Sequence, residues 1–191
     1  MKDREDKIDY CKFVDDEMTK GGFRIQLADE YFVKTKLDDL LKHVNGIRNE
    51  YNTEYGWDEV DKQYLLNPLV DKWKYSFVIL NQKDEICFLN FSSVYGDIIH
   101  NHCTYARKES RGMNFAKLHI IKLCQTGLDN GFTYMEGYWP KNNNRSIILF
   151  LKMGWKIESI VNNKKLLMKA DLIHIQRKAY ELILSGQKAE R

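Results

Sequence analysis

The chain has no apolar run near the roughly 18 residues that a bilayer crossing needs, so no membrane partner is expected. It is poor in cysteine. Cys11, Cys87, Cys103 and Cys124 are widely scattered and form no C-x-x-C pair. Reduced thiols in a cytoplasmic protein are the simplest reading of that spacing. An excess of one charge is also missing. Thirty Lys and Arg face 27 Asp and Glu, and a net charge of +3 is too mild to argue for nucleic acid. The opening Met-Lys-Asp-Arg-Glu-Asp-Lys mixes charges without an apolar stretch, so no secretory signal is expected. His100, His102 and Cys103 form a lone H-x-H-C with no second ligand pair, and no metal is expected. What remains is a chain of 191 residues, 43% apolar and 30% charged, which suits one globular domain with a sizeable core.

Residues 1–20 are polar, with Ile8, Phe13 and Met18 as their main apolar contacts, and read as a short helix or a loose arm. Residues 23–28 alternate as a first strand. Leu37, Leu40, Leu41, Val44 and Ile47 fall at helical spacing and predict a helix over 35–48. A turn-rich aromatic connection over 52–57 follows, then a short helix over 59–66 that stops before Pro68. Residues 75–81, 85–94 and 98–106 read as three strands joined by short polar turns, hence as antiparallel neighbours. A helix over 113–130 ends at Gly131, and a strand covers 132–138. Asn143 or Asn144 caps a further helix closed by Gly154. Strands over 155–161 and 165–170 form a hairpin across Asn162-Asn163, and an amphipathic helix covers 172–185. Periodicity alone supports the α+β class.

The most informative stretch is Arg111-Gly112-Met113-Asn114-Phe115-Ala116-Lys117. It joins an extended segment to the start of an amphipathic helix. Five or six consecutive N–H groups there are expected to lack a strand or helix partner. Such N–H groups and the helix dipole both favour phosphate oxygens. Arg111 adds a fixed positive charge, and Gly112 lets backbone approach a ligand.

About thirty residues later comes Asn143-Asn-Arg-Ser-Ile-Ile-Leu-Phe-Leu-Lys-Met-Gly-Trp155. With both segments in view, the chain resembles the GNAT superfamily of acyl-CoA-dependent N-acetyltransferases. That family's pyrophosphate loop reads Arg/Gln-x-x-Gly-x-Gly/Ala and matches residues 111–116, with Asn114 where the family prefers Gly. Its next signature, Asn-x-x-Ala-x-x-Leu-Tyr-x-Lys-x-Gly-Phe, is met in register by Asn143, Ser146, Leu149, Phe150, Lys152, Gly154 and Trp155. The resemblance is specific over 75–168 and topological before that. It implies a mixed, mostly antiparallel twisted sheet of six to seven strands flanked by helices. The implied order is βααβββαβαββ plus an extra C-terminal helix. The chain then divides into a polar arm (1–20), an acyltransferase domain (21–171) and a C-terminal amphipathic helix (172–191).

In the family the fourth and fifth strands splay and the pantetheine arm fills the gap. Carried over, Thr104, Tyr105 and Ala106 meet that arm, and Arg111, Gly112, Met113, Asn114, Phe115 and Ala116 meet the diphosphate. Asn143, Ser146 and Phe150 complete the cofactor side. A Cβ at Asn114 is expected to obstruct a phosphate somewhat, although Asn tolerates unusual φ. The implied cofactor is acetyl-CoA or another short acyl-CoA. The candidate bases are His100 and His102, two apart on a strand and so on one face. They lie eleven and nine residues before Arg111, offsets that carry paired histidines in arylalkylamine N-acetyltransferases. Glu136 is the reserve base. Phe150 stands where the family often has the Tyr that protonates the thiolate. Tyr138, Tyr105 or water is the substitute acid, unless the step needs none. Tyr51, Tyr55 and Trp57, with Glu54 and Asp58 nearby, are the candidate acceptor pocket for a cationic amine.

These residues point first to acetyl transfer onto a small amine or amino sugar. Asn114 and Phe150 motivate a second reading, an acyl-CoA-binding regulatory module with weak or no turnover. A protein Lys or N-terminal acetyltransferase is the third. The final strands and C-terminal helix offer a surface for a homodimer.

Overall fold

The computed structural model describes residues 8–189, with side chains to residue 187. Residues 1–7 of the expected arm lie outside that range. The remainder of the arm is α1 (Tyr10–Lys20), capped by the Asp9 carboxylate, which accepts from Lys12 N–H at 2.9 Å. Val14 and Met18, four apart, bury one stripe of α1 in the core, which is why this segment is a packed helix.

A seven-stranded sheet runs in the order β1-β2-β3-β4-β5-β7-β6. Its strands are β1 (Phe23–Leu27), β2 (Phe77–Asn81), β3 (Ile86–Tyr95), β4 (Ile98–Ala106), β5 (Tyr134–Pro140), β6 (Lys156–Val161) and β7 (Lys165–Asp171). All pairs are antiparallel except β4 with β5. The β6–β7 turn places Asn162 and Asn163 at φ 51° and 54°. Two successive positive φ values suit the right-handed twist of a hairpin, and Asn accepts them at low cost.

Between β1 and β2 the chain is more helical than its pattern suggests. A short helix that the pattern did not suggest, α2 (Glu30–Thr35), precedes α3 (Leu37–Tyr55), which is the helix expected over 35–48. The Asp29 carboxylate caps α2 by accepting from Phe32 N–H at 2.7 Å, and Lys36 breaks the run at ψ 22°. Then α3 continues through most of the connection that was expected to be a turn, ending at Gly56 with φ 64°. The short helix α4 (Lys62–Leu66) follows Asp61, and a one-turn α5 (Lys72–Tyr75) replaces the start expected for β2. The later helices are α6 (Phe115–Asp129), α7 (Asn144–Lys152) and α8 (Leu172–Ala189).

The sheet separates two cores. On one face Phe88, Ile99, Phe115, Ile121 and Ile175 pack under α1, α6 and α8; on the other Val33, Leu40, Leu65, Leu89 and Phe91 pack under α2, α3 and α4. Each such side chain contributes about 1.5–3 kcal/mol when fully buried. Being covered on both faces, β3 is buried at every residue except Tyr95. Among the described residues no helix is long and apolar enough to cross a membrane.

Candidate functional site

The site begins where two strands part. Strands β4 and β5 pair in parallel from Ile98↔Tyr134 to Asn101↔Gly137 and no further. Beyond that point β4 stays with β3 as far as Phe88↔Ala106, while β5 follows β7 to Pro140↔Lys165. Residues 103–106 therefore present a free backbone edge to a widening gap. At the last paired position a Cβ on Gly137 would lie 2.9 Å from the Asn101 carbonyl oxygen, so only glycine lets the strands touch there.

A bulge turns β4 at the same place. Phe91 pairs with Cys103 and Ser92 with Asn101, leaving His102 as the extra residue. The alternation flips across it: Ile99 belongs to the α6 core, whereas Tyr105 belongs to the α3 core. A buried polar group fills the bend. The Asn90 amide donates to Asn101 Oδ1 at 2.8 Å and to the Cys103 carbonyl at 3.0 Å. Ser92 Oγ in turn donates to Asn90 Oδ1 at 3.0 Å. A satisfied buried network of this kind fixes one geometry.

Past β4 the chain makes a 3-10 turn over Lys108–Ser110 and enters α6. The turn uses some of the expected free donors: Arg111 N–H bonds to Lys108 O at 3.2 Å, and Met113 N–H to Ser110 O at 3.4 Å. The N–H groups of Gly112, Asn114, Phe115 and Ala116 meet no protein acceptor among the described residues. Gly112 has φ 91° and Asn114 φ 60°, so Asn114 takes the left-handed conformation without a glycine. Its Oδ1 accepts from Lys117 Nζ at 2.6 Å. The Arg111 guanidinium is not a free charge. It pairs with Glu50 of α3 at 3.1 Å and lies 5.1 Å from the Tyr51 ring centre.

One cleft of about 1620 Å³ joins the parted strands to this loop. Of the residues expected on the cofactor side, Thr104, Tyr105, Ala106, Arg111, Gly112, Asn114, Phe115, Ala116, Asn143, Ser146 and Phe150 line it. Met113 is not in the wall and is 45% exposed. Asn143 caps α7, its Oδ1 accepting from Ser146 N–H at 3.2 Å. Ser146 Oγ accepts from Trp139 Nε1 at 3.1 Å, and Phe150 packs against Trp139 and Trp155 with ring centres 4.7 and 5.3 Å away. The Tyr105 hydroxyl accepts from Arg48 at 3.0 Å and lies 3.3 Å from the Tyr64 hydroxyl. Burial pushes it up to about 12, which leaves it a bound phenol.

Tyr51, Tyr55 and Trp57 come together in the cleft wall as the sequence suggests. Tyr51 and Tyr55 stack at 5.3 Å, and Trp57 stands 5.0 Å from Tyr55. Guanidinium groups already occupy this cluster: Arg111 at Tyr51, and Arg48 5.9 Å from Trp57. Asp58 contributes its backbone carbonyl to Arg48.

The expected catalytic side chains form a chain of contacts leading away from the cleft. His102 and Tyr138 line it; His100 and Glu136 lie behind. His100 Nδ1 is 3.1 Å from Glu136 Oε1, and its ring centre is 4.8 Å from His102 and 5.2 Å from Tyr138. A Nδ1–H donated to the carboxylate leaves the lone pair on Nε2. His102 Nε2 is 2.6 Å from Ser93 Oγ. Burial, then the neighbouring His100 and Lys72, push His102 down to about 4, so it is neutral at pH 7. Among the described residues no three His, Cys, Asp or Glu side chains group as a metal site would require.

Sequence reading missed Asn90, Asn101, Arg48, Tyr64 and Lys72. The available clue was polarity inside strands: Asn90, Ser92 and Ser93 are buried in β3 among apolar neighbours. Lys72 is 1% exposed, its ammonium donating to Leu65 O at 2.7 Å and to Asn67 O at 3.1 Å, and burial lowers it to about 8.

No protein-family model matches the chain, and no curated protein matches its sequence. Solved structures do resemble it. The PaiA N-acetyltransferase of Thermoplasma acidophilum in complex with coenzyme A superposes with a TM-score of 0.63 at 12% identity, over 78% of this chain and 98% of that one. A GNAT-family acetyltransferase of Staphylococcus aureus gives 0.62 at 11% identity, over 78% and 99%. A GNAT-family acetyltransferase of Listeria monocytogenes gives 0.60 at 9% identity, over 78% and 94%. Sheet order, the parting of β4 from β5 and these likenesses together identify the fold of the chain as that of the GNAT acetyltransferases.

Proposed function

We propose that the chain is an N-acetyltransferase that moves an acetyl group from acetyl-CoA to a primary amine of a small molecule by direct attack on the thioester. The observation that carries this reading is the free β4 edge running into four unpartnered N–H groups at the start of α6, inside one cleft. The residues present fit the carrier. Gly112, Asn114, Phe115 and Ala116 offer N–H donors to a diphosphate, with Lys117 and Arg145 in the same wall. Residues 103–106 offer alternate N–H and C=O groups to a pantetheine amide. When bound, the carrier supplies an activated acetyl group on a thiol of pKa about 8.5.

The chain's own residues do the rest. His102 and Tyr138 meet the acceptor at the cleft wall, and the His100–Glu136 pair behind them receives the proton that the amine must lose. The amine nitrogen bonds to the acetyl carbon. The C–S bond breaks with its electron pair on sulfur, and a proton from Tyr138 or water completes the thiol. Phe150, buried between two tryptophans, has no proton to give. That one observation favours a second reading, an acyl-CoA-binding module without turnover.

A thiol-release assay with acetyl-CoA and a panel of amines separates the two. Turnover with at least one amine supports transfer; tight CoA binding with no release by any amine supports the module. Gly112→Val tests the loop. A Cβ there meets nothing in the protein within 4 Å, so the substitution acts through the φ of 91° and through the bound ligand. A loss of CoA affinity of about tenfold or more is expected by calorimetry. Unaltered affinity in a folded variant would mean that the diphosphate sits elsewhere.

A further inference from the structure

Arg48 stands out within the cleft. It projects from α3 into the half of the wall that holds Trp57, Tyr64 and Tyr105. Its Nε donates to the Asp58 carbonyl and one Nη to the Tyr105 hydroxyl. The rings of Trp57 and Tyr64 lie 5.9 and 6.0 Å from its guanidinium carbon. Contacts on several sides fix the group in one orientation. Yet among the described residues no carboxylate lies within ion-pair reach of it, whereas Arg111 in the same wall is paired with Glu50. Its two protein bonds leave further N–H donors of the guanidinium fork unused.

A half-buried guanidinium that is held rigid and lacks a counter-charge is suited to an incoming carboxylate, which it can bind in a two-point fork. Glu54 is the only acidic side chain among the described residues lining the cleft, and three of its aromatic rings, Tyr51, Trp57 and Tyr64, already carry Arg111 or Arg48. The acceptor half therefore has little to offer a simple cationic amine and one prepared place for an anion.

We infer that the acceptor is a small amine that also bears a carboxylate, an amino acid or a close analogue, and that Arg48 binds the carboxylate. The inference rests on the acetyltransferase reading above and narrows its substrate class. Arg48 acts in binding: with the carboxylate on its fork and the Tyr64–Tyr105 hydroxyl pair alongside, the amine is directed across the cleft toward His102 and Tyr138. The group transfer is the one already written, with the acceptor nitrogen gaining the acetyl carbon and sulfur keeping the electrons of the broken bond.

The test compares standard amino acids with their carboxamides and their decarboxylated amines, in thiol release at saturating acetyl-CoA. The expected result is kcat/KM at least about tenfold higher for the carboxylate-bearing member of the best series. In Arg48→Met that ratio should collapse toward one through a raised KM for the acid, with Arg48→Lys between. Equal or better use of the carboxamide or the plain amine by the parent protein would overturn the inference. So would an equal loss for all three acceptors in Arg48→Met, which would make Arg48 only an anchor for Tyr105 and residue 58. If Arg48→Met does not fold, calorimetry on the CoA-loaded parent decides: N-acetyl amino acids should bind and their carboxamides should bind at least about tenfold more weakly, while equal binding would overturn the idea. CoA binding with a preference for uncharged-side amines removes this inference alone. A protein that binds no CoA removes the acetyltransferase reading, and this one with it.

Discussion

Asn114 shows how a single residue can depart from a family pattern without breaking the geometry behind it. The loop needs a left-handed backbone at this position, and φ 60° is within reach of Asn. The cost falls on charge: its Oδ1 holds the Lys117 ammonium at 2.6 Å, so that cation is shared between the loop and any phosphate. The histidines of β4 are also decided residue by residue. His102 sits on the bulge, touches the cleft and is neutral at pH 7, while His100 is buried against Glu136. Changing His100 and His102 together to Gln keeps polarity but removes both imidazoles. Turnover should fall about a hundredfold or more, with CoA affinity kept, as read by steady-state kinetics beside calorimetry. A double variant with unaltered kcat across pH 6 to 9 would exclude both as bases. The sequence placed these two on one face, and the 4.8 Å between ring centres agrees. It did not reveal that His102 is an extra residue, because a bulge is fixed by the partner strand: the Asn90 amide and the switch from Phe91↔Cys103 to Ser92↔Asn101.

At the level of elements, what could be read was what depends on short-range chemistry. Strand β4 was legible end to end because polar turns bound it, and α7 because Asn143 caps it. The stretch between β1 and β2 was legible in part: α3 and α4 answer to the helices expected over 35–48 and 59–66, whereas α2, α5 and the continuation of α3 past residue 48 were not read. The short helices α2 and α4 are capped by Asp29 and Asp61 and stabilised by burial of Val33 and Leu65 against the sheet rather than by a long apolar stripe. Reading 52–57 as a turn ended the expected helix at Arg48, whereas α3 continues to Tyr55. The parting of β4 and β5 has its own element-scale test at Gly137. A side chain there would press on the Asn101 carbonyl at 2.9 Å and on the Trp139 ring at 2.9 Å, one of them backbone that cannot move aside cheaply. Gly137→Val should destabilise the fold by about 1–3 kcal/mol in urea titration and weaken CoA binding in the same variant. Loss of stability with unaltered CoA affinity would separate the strand contact from the binding gap.

For the molecule as a whole, the cleft lies on the seam between two cores, and each core encloses a neutral histidine. His119, on α6, is 1% exposed beside Phe77 and Phe88, and burial lowers it to about 3. His43, on α3, is 6% exposed, and burial lowers it to about 4. Unfolding returns each to an ordinary value near 6.5. The unfolded chain therefore binds more protons than the folded one between about pH 6.5 and these lower values, and stability falls as pH falls through that window. Above 6.5 both contributions are fully present. At roughly 1.4 kcal/mol per pKa unit, two enclosed histidines amount to several kcal/mol by pH 4. That is comparable to a large share of the 5–15 kcal/mol that typically holds a domain together. The protein should accordingly lose most of its stability between pH 6.5 and 4, seen as a steep drop in urea midpoint. His119→Leu removes one of the two proton sites and the buried Nε2 that has no partner, while giving up a bond to the Ala116 carbonyl. It should stay within about 1 kcal/mol of the parent at pH 7 and exceed it at pH 4. A variant whose stability falls with acid as steeply as the parent's would mean that His119 is not a proton site, and that acid sensitivity arises at the other lowered histidines, His43 and His102.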